Sequence, residues 1–237
     1  MSDGPASETL WEQAYADRSR SGLWPLLLKP LLIDEGFRPW ESGELSFEGS
    51  TPADLHDPES LLARWWADHT SYHPGSDPLM NAAERHAVTA PYGMRWPGLA
   101  PGRTLSADPD SMALQYAAHL LSRERPLRLG LAAADRGADA LAAVGWTGPL
   151  NYTSDTGQIA AIVRSWEDRF GARVVGVGFA DLYLSVAAPP VTPDEALPVA
   201  AEHFAFCPDN IWQGHPPTLT GYASRLVGVN SWEFWWD

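Results

Sequence analysis

The chain ends on Ser231-Trp232-Glu233-Phe234-Trp235-Trp236-Asp237, a run of four large aromatic side chains in seven residues. A terminus this apolar is expected to dock rather than fray. Trp232, Phe234 and Trp236 alternate with Glu233 and Trp235, the period of a strand with one buried face. Any fold for this chain must therefore bring its last residues into or beside a sheet.

A protein that buries so much aromatic surface must also stay in solution. The formal net charge is -14, which serves that end. The same charge argues against nucleic acid, because phosphate binding is driven by Lys and Arg displacing counterions. It leaves room for a protein partner with a basic surface. Of sixteen basic residues only Lys29 is a lysine, a bias of composition that implies no activity. The longest apolar run, Leu23 to Leu28, is six residues and includes Pro25, far short of a membrane span. The start, Met1-Ser2-Asp3-Gly4-Pro5, lacks the basic and apolar regions of a signal peptide. One cysteine rules out an internal disulfide and fits a reducing compartment. A cytoplasmic protein is expected, with no membrane contact.

At 237 residues the chain has room for one large domain or two small ones. Its N-terminal part reads as helix, strand, loop, helix. Thr9 to Glu12 has capping-box spacing, and Leu10, Trp11, Ala14 and Tyr15 share a face. Gly22 ends that helix, and Leu23–Leu28 follows as a buried or edge strand, with Pro25 favouring the edge. Asp57-Pro58-Glu59 opens a second helix, with Leu61, Leu62, Trp65 and Trp66 as its core stripe. Residues 71–109 are rich in Pro and Gly and read as a linker or crossing segment. His69 and His73 stand four apart there, but Pro74 and the lack of a third ligand argue against zinc. No metal site and no cofactor is expected.

From residue 108 the pattern sharpens. A helix runs from Asp108-Pro109 to about Arg123, with Leu114, Ala117, Leu120 and Leu121 on its apolar side. Leu127–Leu131 reads as a strand, and an Ala-rich helix ends at Gly145. Asp155 to Gln158 caps a helix carrying Ile159, Ile162, Val163, Trp166 and Phe170, which Gly171 closes. Residues 173–179 and 182–187 form a strand pair around Ala180-Asp181. Gly176 and Gly178 leave two bare positions opposite Tyr183 and Ser185, so a helix, a bulged neighbour or a ligand must approach there. Thr192-Pro193-Asp194-Glu195 caps another helix, distorted at Pro198, and Leu219, Tyr222, Ala223 and Leu226 mark a last one.

Strand, helix, strand, strand, helix, strand is the order from residue 127. That is the plan of a ferredoxin-like (βαββαβ) α+β domain with extra short helices. The expected organisation is a mainly helical region 1–70, a crossing segment 71–109, and a C-terminal α+β domain 110–237.

With these landmarks in view, the chain resembles the bacterial domain-of-unknown-function family 4253. The likeness rests on Ser165-Trp166-Glu167-Asp168-Arg169-Phe170-Gly171, on Leu182-Tyr183-Leu184-Ser185-Val186, on Glu202 to Gly214, and on the Trp-rich tail. It covers about residues 127–237, and the segment Gly22 to Leu28 is similar to the N-terminal region of longer relatives. The resemblance implies a soluble bacterial protein and brings no activity or ligand with it.

The residues offer two kinds of chemistry. His203 and Cys207, one helical turn apart with Asp209 nearby, are the candidates for a nucleophile and its base. Against that, Cys207 ends its helix, where the dipole disfavours a thiolate, and Phe204, Phe206 and Pro208 make its setting apolar. A core cysteine is the default. The candidates for a ligand pocket are Trp146, Gly176, Gly178, Tyr183, Trp212 and Gln213. Phosphate-loop, nucleophile-elbow and HExxH motifs are all missing. The sequence therefore favours a non-enzymatic protein-binding module using an acidic, aromatic surface. An immunity-type role, neutralising a toxin by binding it, is a conjecture beyond the resemblance. A small-molecule or sugar-binding protein, or an enzyme with a Trp/Tyr-lined pocket, is the alternative.

Overall fold

The computed structural model describes residues 1–31, 37–46, 50–71, 82–123 and 126–237. In chain order its elements are α1 (Glu8–Ser21), β1 (Leu23–Leu28), α2 (Pro58–Thr70), α3 (Ala82–Val88), α4 (Pro109–Arg123), β2 (Arg128–Ala133) and α5 (Gly137–Ala143). Next come α6 (Thr156–Phe170), β3 (Ala172–Val177), β4 (Asp181–Val186), α7 (Pro193–Phe206), α8 (Asp209–Trp212), α9 (Leu219–Leu226) and β5 (Ser231–Trp235). His73 and Pro74 lie outside the described residues. No helix among the described residues is long and apolar enough to cross a membrane.

The local chemistry places the helices. Ser7, rather than Thr9, caps α1 by accepting the Leu10 N–H, and Gly22 closes it in the left-handed conformation (φ 68°). Asp57 caps α2, Asp108 accepts the Ser111 N–H at the start of α4, Asp155 caps α6, and Thr192 caps α7. In α4 the buried face is Ala113, Tyr116, Ala117 and Leu120, so Leu114 and Leu121 are turned partly outward.

Two compact units form. The larger comprises residues 1–56, 103–188 and 230–237; the other comprises residues 57–102 and 189–229. The larger unit holds a mixed sheet with strand order β2-β1-β3-β4-β5. β1 pairs antiparallel with β2 and parallel with β3, and the remaining neighbours are antiparallel. The ferredoxin-like expectation is corrected here. That plan would place the strand at 128–133 in the middle, next to the 181–186 strand; instead β1 separates it from the rest, and β5 pairs directly with β4. Of the two placements open to β1, buried or edge, the structure has the buried one, against the preference of Pro25. Its pairing with β3 covers only Leu27 and Leu28, so Pro25 lies outside the stretch bonded on both flanks. Upstream, the Trp24 indole N–H donates to the Val174 carbonyl (2.9 Å) and ties the two strands where no ladder does.

Helices cover both faces of this sheet. Glu233 and Phe234 of β5 point to opposite sides. Tyr116 of α4 donates to Glu233 (2.7 Å), while Trp166 of α6 stacks on Phe234 (centroids 5.3 Å apart). Trp232 fits edge-on to both Trp166 and Phe170. The aromatic tail is thus core, as its alternation requires. The outer edge of β2 is covered by the N-terminal residues, where the Ser2 and Ala6 N–H groups donate to the Leu129 and Leu127 carbonyls.

The second unit is helical. Leu61, Leu62, Trp65 and Trp66 of α2 are all buried, as are Leu219, Tyr222, Ala223 and Leu226 of α9. Trp66 is surrounded by Trp96, Phe204 and Tyr92 at 5.4–6.3 Å between ring centroids. Glu202, fully buried on α7, accepts the Ala100 backbone N–H at 2.6 Å. That bond ties the segment before residue 102 to the helix.

Candidate functional site

In the larger unit, the start of β1, the start of β3 and the end of β2 meet the last turns of α1 and α6. The elements leave a cleft of about 470 Å³ between them. Its walls carry Arg18, Arg136 and Arg173 and the carboxylates Asp135, Glu167 and Asp168, beside the Trp24 ring. Each group arrives from a different local cause. Arg18 sits in the last turn of α1, where a cation suits the helix dipole, and it lies over the Tyr15 ring (3.9 Å) and near Trp24 (5.7 Å). Arg173 alternates out of β3 between buried neighbours. Arg136 stands at the N-terminus of α5, whose own cap lacks a side-chain bond. Glu167 supplies it from α6, accepting the Ala138 N–H (3.0 Å) with one oxygen and Arg136 Nε (2.7 Å) with the other.

Ion pairs organise the cleft. Arg136 also reaches Asp168 through Nη2 (2.6 Å). Asp110 of α4 is shared by Arg18, by Arg173 Nε (3.5 Å) and by the Tyr15 hydroxyl (3.0 Å). Burial pushes the Glu167 carboxyl above the ordinary range, against the pull of Arg136 and the Ala138 N–H. Burial also raises the Tyr15 phenol, and Arg18 only partly offsets it. For Arg136 burial works to lower the pKa, but Glu167 and Asp168 outweigh it and the net shift is upward, so this cation is held firmly. A second depression of about 510 Å³ lies between the start of α1 and the end of α4, lined by Pro5, Ala6, Leu121 and Leu127. Glu8 is its one charged lining residue, so it offers little to hold or orient a ligand.

The residues singled out from sequence fall into two groups. His203, Cys207, Asp209, Trp212 and Gln213 belong to the helical unit. His203 and Cys207 are fully enclosed (0 % exposed). The His203 ring is hydrogen-bonded through Nδ1 to the Tyr222 hydroxyl (3.1 Å), and the Cys207 thiol donates to Asn210 (3.6 Å). Asp209 is buried at the start of α8, Trp212 is half-buried against Phe204 and His69, and Gln213 is exposed.

Trp146, Gly176, Gly178 and Tyr183 belong to the larger unit. Trp146 is buried and donates its indole N–H to the Gly178 carbonyl (2.9 Å). Gly176 faces Tyr183 across the β3–β4 ladder, beside a bulge. A Cβ there would stand 2.6 Å from the Leu27 carbonyl oxygen, so the bare position makes room for β1. At Gly178 the near neighbour is the Asp181 carboxylate, 2.5 Å from where a Cβ would be. The Tyr183 hydroxyl takes a hydrogen bond from Lys29 (2.9 Å).

Sequence reading missed the cleft. Its residues come from five stretches, and single arginines and carboxylates have no motif that joins them. The one available signal was the Glu167-Asp168 pair inside a stretch already singled out as a landmark.

Residues 128–237 match the model of a family described as Domain of unknown function (DUF4253). That span includes Asp135, Arg136, Glu167, Asp168 and Arg173, while Arg18 and Trp24 lie before it. No curated protein and no solved structure matches the chain.

Proposed function

From the match of residues 128–237 to the DUF4253 family, a domain of unknown function, we propose that the protein binds a small polar ligand in the cleft bordered by Arg18, Arg136 and Arg173. The observation that carries this reading is the cleft itself. Its volume, about 470 Å³, falls within the roughly 300–1,000 Å³ common for small-molecule sites. It gathers three guanidinium groups fixed by ion pairs beside an indole ring, and pre-set donors of this kind hold a ligand at little ordering cost. Binding rather than catalysis is favoured because His203 and Cys207, the candidate nucleophile pair, are enclosed and bonded within their own unit. The lone, buried Cys207 fits a reducing compartment, and a cytoplasmic location goes with this reading.

A thermal-shift screen with polar metabolites, run on the wild-type chain and on Arg173→Ala, tests the reading. At least one compound should raise the wild-type midpoint in a saturable way and lose that effect in the variant. A panel without such a compound counts against the cleft. The protein-partner reading rests on the net charge of -14. It calls instead for a stoichiometric complex that weakens as salt rises.

A further inference from the structure

We propose that the ligand of this cleft is a small zwitterion, an α-amino acid or short peptide carrying a free ammonium and a free carboxylate. This rests on the reading of the cleft as a ligand site and adds the chemical class.

The lining is balanced in charge, three arginines against three carboxylates. A polyanion therefore meets no net positive field, since Asp110 adds a fourth carboxylate beside Arg18 and Arg173. What selects a ligand is the set of groups still open. Asp135 is exposed at the cleft and makes no hydrogen bond or ion pair among the described residues. Arg173 spends Nε on Asp110 and Nη1 on the Ala172 carbonyl (2.8 Å), which leaves Nη2 engaged by no described residue. Arg136 spends Nε on Glu167 and Nη2 on Asp168 and the Arg164 carbonyl, which leaves Nη1. The cleft thus retains one carboxylate able to receive an ammonium and two guanidinium edges able to receive a carboxylate. A zwitterion satisfies both kinds of group with charge-assisted hydrogen bonds and leaves neither unmatched. A ligand with only one charge leaves the opposite group without a partner. The volume suits one small molecule.

Calorimetric titration of the full chain tests the class, with the twenty common L-amino acids and glycylglycine as probes. Each probe that binds is repeated as its N-acetyl and carboxamide derivatives, with inorganic phosphate alongside. At least one zwitterion should bind one-to-one, with both blocked derivatives about tenfold weaker or more, the loss expected for one ion pair in a partly enclosed site. Asp135→Asn should weaken the parent zwitterion by a similar factor while leaving its N-acetyl derivative unchanged. Asp135 is exposed and unpaired, so this variant should keep the fold, and an unchanged melting midpoint checks that. Blocked derivatives that bind as tightly as the parent would overturn the zwitterion class. So would phosphate binding that depends on Arg173 while no zwitterion binds, although the cleft would then stand as a ligand site. If no probe binds and the polar-metabolite screen also finds nothing, both readings fall together.

Discussion

Glu167 is a residue on which the structure makes a sharp demand. Its carboxylate serves the Ala138 N–H and Arg136 at once, and the side chain is almost wholly buried. Glu167→Ala leaves both donors without their acceptor and should destabilise the protein by about 3 kcal/mol. Glu167→Gln keeps an acceptor for Ala138 and should cost less; equal midpoints for the two variants in urea would refute this role. His69 makes a demand on pH. Burial, helped by Arg85 and opposed by a backbone bond at Ala205 and by Asp68, pulls its pKa down to about 4. The unfolded chain, with a His pKa of about 6.5, holds the proton more readily between these values. The contribution of His69 is therefore complete above about pH 6.5 and is lost as pH falls toward 4, by about 3 kcal/mol at most. Urea midpoints taken from pH 7 down to pH 5 should decline in the wild type and flatten in His69→Gln. A decline of the same steepness in both would clear His69 of the effect.

At the scale of elements, the sequence was most readable where one turn of chain carries the whole cause. The caps at Asp57, Asp155 and Thr192, the closure at Gly171, and the buried stripes of α2, α6 and α9 all stand where local chemistry puts them. The limits appear where a second element decides. Thr9 has the spacing of a cap, but Ser7 takes that place because the helix begins at Glu8. Pro25 favours an edge, yet β1 lies between β2 and β3 and tolerates the proline because the ladder to β3 starts beyond it. Gly176 announces a close approach, but only the register with Leu27 shows that the visitor is a backbone carbonyl. Gly176→Val should therefore separate β1 from β3 and destabilise the fold by about 3 kcal/mol. A near-normal midpoint would show that the sheet can absorb the side chain. Trp232, fully enclosed against Trp166 and Phe170, gives the companion expectation. Trp232→Ala should cost roughly 3–5 kcal/mol, and a loss under 1 kcal/mol would mean the tail is not core.

For the whole molecule, periodicity names strands without saying which lie side by side. The run of strands after residue 127 fits a ferredoxin-like order, but the sheet admits β1 from far upstream between β2 and β3. Nothing in Leu23-Trp24-Pro25-Leu26-Leu27-Leu28 specifies that pairing, since an apolar strand fits any sufficiently buried slot. The ligand cleft was hidden for the same reason. Arg18, Trp24, Arg136, Glu167 and Arg173 become a site only after β1 is in place. The pairs His203–Cys207 and Gly176–Gly178 were visible as patterns; the structure encloses the first pair and sets Gly176 against the Leu27 carbonyl.

The central claim is that the cleft holds a small molecule. Native mass spectrometry of the chain purified gently from its own host, beside Arg173→Ala handled identically, tests it most directly. The wild type should carry a one-to-one adduct of small-molecule mass that the variant lacks. A bare wild-type mass, or an adduct that survives in Arg173→Ala, would contradict the account.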